Sequence, residues 1–152
     1  MVMTTGLKDG KLLIYDMRTS KAVKSMIVHK GAINFLQVAQ HSGNIVTGSA
    51  DKTIKVWDLR SGKGSALGSV CKMESTDAVF CGELVDYGNL AVVGAGDGNI
   101  LAYDLMKGGE CLYGYGADEV GAVHCLSVTR DFKSIVTGGD SGQGLKICFG
   151  GF

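Results

Sequence analysis

The chain has 152 residues, enough for one domain of ordinary size. Its 45% hydrophobic and 20% charged residues exclude a disordered chain, and its 24 glycines, without proline and without a three-residue period, exclude collagen. Net charge is zero, but residues 1–72 carry eleven Lys/Arg against four Asp/Glu and residues 73–152 carry four against eleven, a dipolar layout suited to orienting a partner or a second copy of the chain.

In chain order the first elements are short apolar strands at Val2–Thr5, Lys11–Asp16 and Ala22–Val28. The next four are Ile33–Val38, Ile45–Gly48, Thr53–Asp58 and Ala66–Val70, with turns at Gln40–Asn44, Asp51–Lys52 and Arg60–Gly64. Then come Ala78–Leu84, Leu90–Ala95, Asn99–Asp104 and Cys111–Tyr115, and finally Val123–Val128, Ser134–Thr137 and Leu145–Phe149. Short strands separated by Gly/Asn/Asp turns read as antiparallel meanders.

One line recurs through these elements. It reads TGLKDGKLLIYD from Thr5, TGSADKTIKVWD from Thr47, VGAGDGNILAYD from Val93 and TGGDSGQGLKICF from Thr137. The first glycines, Gly6, Gly48, Gly94 and Gly138, are 42, 46 and 44 residues apart. A period of about 40–45 residues ending in Trp-Asp marks a propeller blade repeat. Four-stranded blades are expected at 29–72 and 73–116, with incomplete ones at 1–28 and 117–152. The first lacks its innermost strand and the last its outermost. Blades pack face to face and known rings hold about 4–8 of them. This stretch is therefore expected to be part of a longer propeller, or to need self-association to cover its open faces.

Over essentially its whole length the chain resembles the WD-repeat β-propeller family, most closely in NIVTGSADKTIKVWDLRSGK, residues 44–63. The resemblance implies a buried hydrogen-bonded set of His29, Thr47, Asp51 and Trp57, complete only in the second blade. The first blade offers Thr5, Asp9 and Tyr15, the third Asp97 and Tyr103 with Val93 in the hydroxyl place, and the fourth Thr137 and Asp140. Physical chemistry asks for the same arrangement, because a buried indole N–H needs an acceptor and a His between that side and an Asp is held in one tautomer.

Catalytic and ligand sites find little support. His29 with Asp51 is already assigned to the repeat, His41 lies in a solvated turn, and His124 has no partner motif nearby. Three scattered histidines and five cysteines without CxxC spacing argue against zinc and against a disulfide framework. Gly94–Gly98 misses the GxGxxG spacing and precedes a strand, Lys63-Gly64 breaks a Walker A reading, and the loop at Asp97 is short for an EF-hand. The expectation is a non-catalytic protein-binding scaffold that uses no cofactor. No leader and no membrane-length apolar run are visible, so an intracellular place, cytoplasmic or nuclear, is expected.

Partners are sought on the rims. The top-rim candidates are Lys30, Lys52, Asp77, Asp97, Asp118 and Glu119. Tyr15-Asp16-Met17-Arg18 and Trp57-Asp58-Leu59-Arg60 share the pattern aromatic-Asp-x-Arg. That pattern resembles the box by which WD-repeat substrate receptors dock on the adaptor of cullin-type ubiquitin ligases, and it makes Arg18 and Arg60 candidates for an acidic adaptor surface. Nucleic acid is a weaker alternative, because Lys8, Lys11 and Lys24 have no interleaved aromatics beyond Tyr15.

Overall fold

The computed structural model describes residues 2–58, 68–117, 121–129, 131, 133–142 and 145–148. It is all-β, with a single 3-10 turn at Asp86–Gly88 among the described residues. Strands β1 (Val2–Gly6), β2 (Lys11–Asp16) and β3 (Lys21–Ile27) form one antiparallel sheet. A four-stranded sheet follows, of β4 (Ile33–Val38), β5 (Ile45–Ser49), β6 (Thr53–Asp58) and β7 (Gly68–Glu74). A second holds β8 (Val79–Val85), β9 (Leu90–Ala95), β10 (Asn99–Asp104) and β11 (Glu110–Gly116). The last consists of β12 (Val123–Val128), β13 (Ser134–Gly139) and β14 (Leu145–Cys148).

Strand order equals chain order in every sheet, so each blade is an antiparallel meander. Gly10 is needed at one turn. Its φ is +75°, and a Cβ there would strike the His29 carbonyl. Its own carbonyl accepts the Val28 and His29 amides, so a bare glycine lets the loop that carries His29 settle directly on the first blade.

Blades stack through alternating residues, because successive side chains in a strand point to opposite faces. Leu12, Ile14 and Val28 of the first blade meet Ile45 and Trp57 of the second. Phe35, Val46, Ile54 and Val56 leave the other face of that blade to meet Val79, Val93, Leu101 and Tyr103. Val92, Ile100 and Ala102 then pack on Val123 and Ile135. At the hub, β8 packs against both β4 and β12. The Leu84 amide donates to Gln37 Oε1 at 2.8 Å and the Val128 amide to Glu83 Oε2 at 2.6 Å, so each inner strand is tied to the next.

Two departures from the sequence reading have clear causes. The outer strand of the second blade runs to Glu74, whereas Val70 was the expected end. Its partner β6 starts at Thr53, which pairs with Glu74, and Met73 is drawn into the core by Ile54 opposite it. In the fourth blade Asp140 stands at the place of Ala50, one residue ahead of the Asp51 place. The bond from the Asp140 amide to the Ala122 carbonyl repeats that from Ala50 to Ala32. Asp140 therefore reaches the Ala122 amide at 2.9 Å and His124 Nε2 at 2.6 Å, which gives His124 the partner that its sequence neighbourhood did not reveal.

Candidate functional site

The second blade brings the side chains of His29, Thr47, Asp51 and Trp57 into one chain of hydrogen bonds. Asp51 sits in the β5–β6 turn, Thr47 on β5, Trp57 on β6, and His29 on the segment entering β4. Trp57 Nε1 donates to Thr47 Oγ1 at 2.9 Å, and His29 Nε2 lies 2.8 Å from the same oxygen. His29 Nδ1 lies 3.1 Å from Asp51 Oδ2. An ionised carboxylate only accepts, so Nδ1 must carry the proton and Nε2 must accept from the Thr47 hydroxyl. Thr47 is then free to receive the indole N–H. The order indole, threonine, imidazole, carboxylate satisfies every group in turn.

Two further residues belong to this network. Thr53 donates its hydroxyl to Asp51 Oδ1 at 2.6 Å and lies 3.0 Å from His29 Nδ1. Lys55 donates to the Val28 carbonyl at 2.6 Å, and its ammonium stands 5.6 Å from the centre of the Trp57 ring. A polar residue two places after the turn Asp, on the strand carrying the aromatic, was the available signal for Thr53.

The charges follow from the surroundings. His29 is buried, and desolvation pushes its pKa below the ordinary value, outweighing the pull of the Asp51 carboxylate in the other direction. Burial pushes the Asp51 carboxyl up. Hydrogen bonds from the Thr53 hydroxyl and the Lys30 amide, with the imidazole beside it, outweigh this and bring it down to about 2.

The other blades fill the same places differently. In the third, Ser75 stands where His29 would be, and its buried Oγ has no hydrogen-bond partner. Tyr103 takes the Trp57 place and donates its hydroxyl to the Glu74 carbonyl at 2.8 Å. Asp97 accepts from the Asn99 amide and side chain and from the Thr76 hydroxyl.

On the rim, Lys52 and Asp77 pair with each other across the two blades at 2.7 Å. That contact lowers the Asp77 pKa. Lys30 and Lys52 border a cleft of about 580 Å³ that Lys55, Lys72 and Glu74 also line. Arg18 is 83% exposed, its amide bonded to Asp16 Oδ1 at 2.9 Å and its Nε 3.6 Å from the same oxygen. Arg60, Asp118 and Glu119 lie outside the described residues. His41 is exposed. Among the described residues no group of three or more His, Cys, Asp or Glu side chains is placed to hold a metal ion.

Residues 20–58 match the family model described as "WD domain, G-beta repeat". The chain is 32% identical over 89 residues to Cell division control protein 4 of Saccharomyces cerevisiae, covering 59% of this chain and 11% of that protein. It is 30% identical over 108 residues to WD repeat and SOCS box-containing protein 1 of Xenopus tropicalis, covering 70% of this chain and 25% of the relative. The chain thus spans between about a tenth and a quarter of the length of these curated relatives. The crystal structure of the computationally designed Ika4 protein superposes with a TM-score of 0.80, covering 98% of this chain and 86% of the other at 22% identity, a likeness of fold.

Proposed function

Because the chain is a run of blades of the WD-repeat β-propeller family, we propose that it works as a non-catalytic protein–protein interaction scaffold. One observation carries this. The His–Asp pair, the arrangement most easily mistaken for an acid–base site, is consumed by the core: His29 is 2% exposed and both its ring nitrogens are partnered within the blade. A general base needs an open path to a substrate proton, whereas the rims offer charged side chains on short, rigid turns, the usual place for recognition. An intracellular place, cytoplasmic or nuclear, suits the free thiols Cys71, Cys81, Cys111 and Cys125. No helix among the described residues is long and apolar enough to cross a membrane.

The scaffold reading is tested by cross-linking the tagged chain in cell extract and comparing it with a Lys30→Glu/Lys72→Glu variant, which reverses two exposed charges lining the rim cleft. Partners recovered by the parent chain should fall several-fold with the variant while thermal unfolding stays unchanged. Equal recovery of every partner removes the top rim as the binding surface.

A second reading is favoured by Arg18, whose guanidinium is exposed beside Asp16. We propose that Arg18 and Arg60 dock an acidic surface on the adaptor of a cullin-type ubiquitin ligase, as in the aromatic-Asp-x-Arg box of related receptors. Relatives include a SOCS box-containing protein. Binding of purified adaptor should drop about tenfold or more in the Arg18→Ala/Arg60→Ala variant, in line with the loss of charge-assisted hydrogen bonds. Equal retention by both chains ends the ligase reading and leaves the scaffold reading intact.

A further inference from the structure

The ladder between β6 and β7 carries an electrostatic conflict. Lys55 and Lys72 are directly opposed in it, so their side chains share one face of the second blade. Like charges in that position destabilise a strand pair, whereas opposite charges would support it. Both side chains line the cleft of about 580 Å³ that Lys30 and Lys52 border. Four ammonium groups thus converge on one cleft from a loop, a turn and two strands.

The protein answers only part of this charge. The four lysines outnumber the two carboxylates of the lining, Asp51 and Glu74. Asp51 is already committed to the Lys30 amide, the Thr53 hydroxyl and His29. Lys72 reaches Glu74 at 3.1 Å and Lys52 reaches Asp77 at 2.7 Å, but both pairs are exposed, and exposed pairs contribute little. Lys30 and Lys55 pair with no carboxylate among the described residues, and Lys55 rests on the Val28 carbonyl instead. Ser75 stands in the same wall, and its buried Oγ has no hydrogen-bond partner. A buried hydroxyl is rarely left so, and an incoming acceptor would satisfy it.

Size and polarity narrow the ligand. The volume falls within the range of small-molecule sites, about 300–1,000 Å³, and leaves room beyond a single phosphate. None of the described residues that line it is apolar, so nothing there would grip a nucleobase or the side chains of a peptide. What fits is a compact anion that is nearly all charge. We propose that the cleft binds a condensed phosphate of the pyrophosphate or tripolyphosphate kind, its oxygens spread over Lys30, Lys52, Lys55 and Lys72, with one accepting from Ser75 Oγ. Lysine suits this task, because its three rotatable donors surround a point charge and need no planar partner. The site goes beyond the scaffold reading and does not depend on it.

Isothermal titration calorimetry of the 152-residue chain with inorganic phosphate, pyrophosphate and tripolyphosphate tests the site, and amide NMR shifts place it. Affinity should rise about tenfold or more from phosphate to tripolyphosphate, and the Lys30 and Ser75 amides should move. Lys30→Gln/Lys72→Gln should bind about tenfold more weakly, the scale of truncated contact residues. Lys21→Gln/Lys107→Gln removes the same charge outside the cleft and should change affinity little. Ser75→Ala should weaken binding several-fold without lowering stability, because the hydroxyl it removes has no partner in the fold. Lys72→Gln alone should unfold at or above the parent's urea midpoint, since it removes the like-charge pair, and still bind more weakly. A lysine that served only the fold would show the reverse.

Three results overturn the site. One is neither heat nor NMR shift with millimolar tripolyphosphate. Another is equal weakening by the two double variants, which would mean diffuse attraction to the basic half of the chain. The third is tighter binding of a Gly/Ser peptide bearing two phosphoserines than of pyrophosphate, which would give the cleft to a segment of a partner protein. None of them removes the scaffold reading, which is decided by partner recovery from extract.

Discussion

Trp57→Ala should cost about 3–5 kcal/mol of folding free energy, the range for removing a buried aromatic from a packed core. Three losses converge on this residue. Its ring is 7% exposed and wedges between the first two blades with Leu12, Ile14, Val28 and Ile45, so the variant opens a cavity where blade stacking starts. The indole N–H that satisfies Thr47 disappears. The Lys55 ammonium also loses the ring 5.6 Å beneath it. Trp57→Phe separates these terms, since it keeps most of the apolar volume and removes the donor. Thr47 retains His29 as a partner, so this variant should lose only about 1–2 kcal/mol. Urea unfolding followed by circular dichroism measures both, because Trp57 is the single tryptophan and its own fluorescence vanishes in either variant. If Trp57→Ala unfolds at the parent's urea midpoint, the network is not a keystone of the blade.

The repeat period made the architecture legible, because turn glycines and strand alternation are local features that the chain writes once per blade. The fold is the all-β run of blades that this period implies. Less legible was whatever depends on pairing between distant residues. Cys71 to Glu74, with two charged residues, falls beyond the expected strand end at Val70, yet cross-strand pairing with β6 extends the strand, and Met73 is buried by what lies opposite. The Asp140 place was misread for a related reason. The sequence carries TGGDS where the second blade carries TGSAD, so Asp140 comes one residue early by count, and the amide-to-carbonyl bonds across the turn show that no inserted residue restores it to the Asp51 place. His124 and Asp140 are 16 residues apart and meet because β12 and β13 are neighbours. The register shift between Val79 and Cys81, where β8 pairs with β9, leaves no sequence mark, since an extra residue in a strand reads like any other.

Acid should destabilise the protein in two separable steps, and the second blade carries the largest part of each. For His29 the native pKa lies below the ordinary value of 6.5. As pH falls through 6.5 the unfolded chain takes up a proton that the native state refuses, so stability declines from there until the native imidazole titrates. Geometry says why the native state refuses. A protonated imidazole would donate from both nitrogens, and Thr47 Oγ1 would then face two donors, His29 and Trp57. Its hydroxyl would have to turn to the Lys55 carbonyl, 3.4 Å away. For Asp51 the native pKa of about 2 lies below the ordinary 3.8. Its contribution is complete above 3.8 and is lost as pH falls toward 2, amounting to about 2 kcal/mol at 1.4 kcal/mol per unit. Urea midpoints measured from pH 8 to pH 3 should therefore fall once below about 6.5 and again below 3.8. Asp51→Asn should lower stability at neutral pH and shrink the second decline, since the amide has no proton to gain, leaving the smaller part due to Asp77 and Asp97, whose carboxyls are also held below 3.8. Imidazole NMR resolves three histidines, so the first decline is assigned by following the His29 resonance itself. A midpoint that holds level from pH 7 to pH 5 would mean that His29 titrates alike in both states, and the tautomer ordering of Trp57, Thr47, His29 and Asp51 would have to be abandoned.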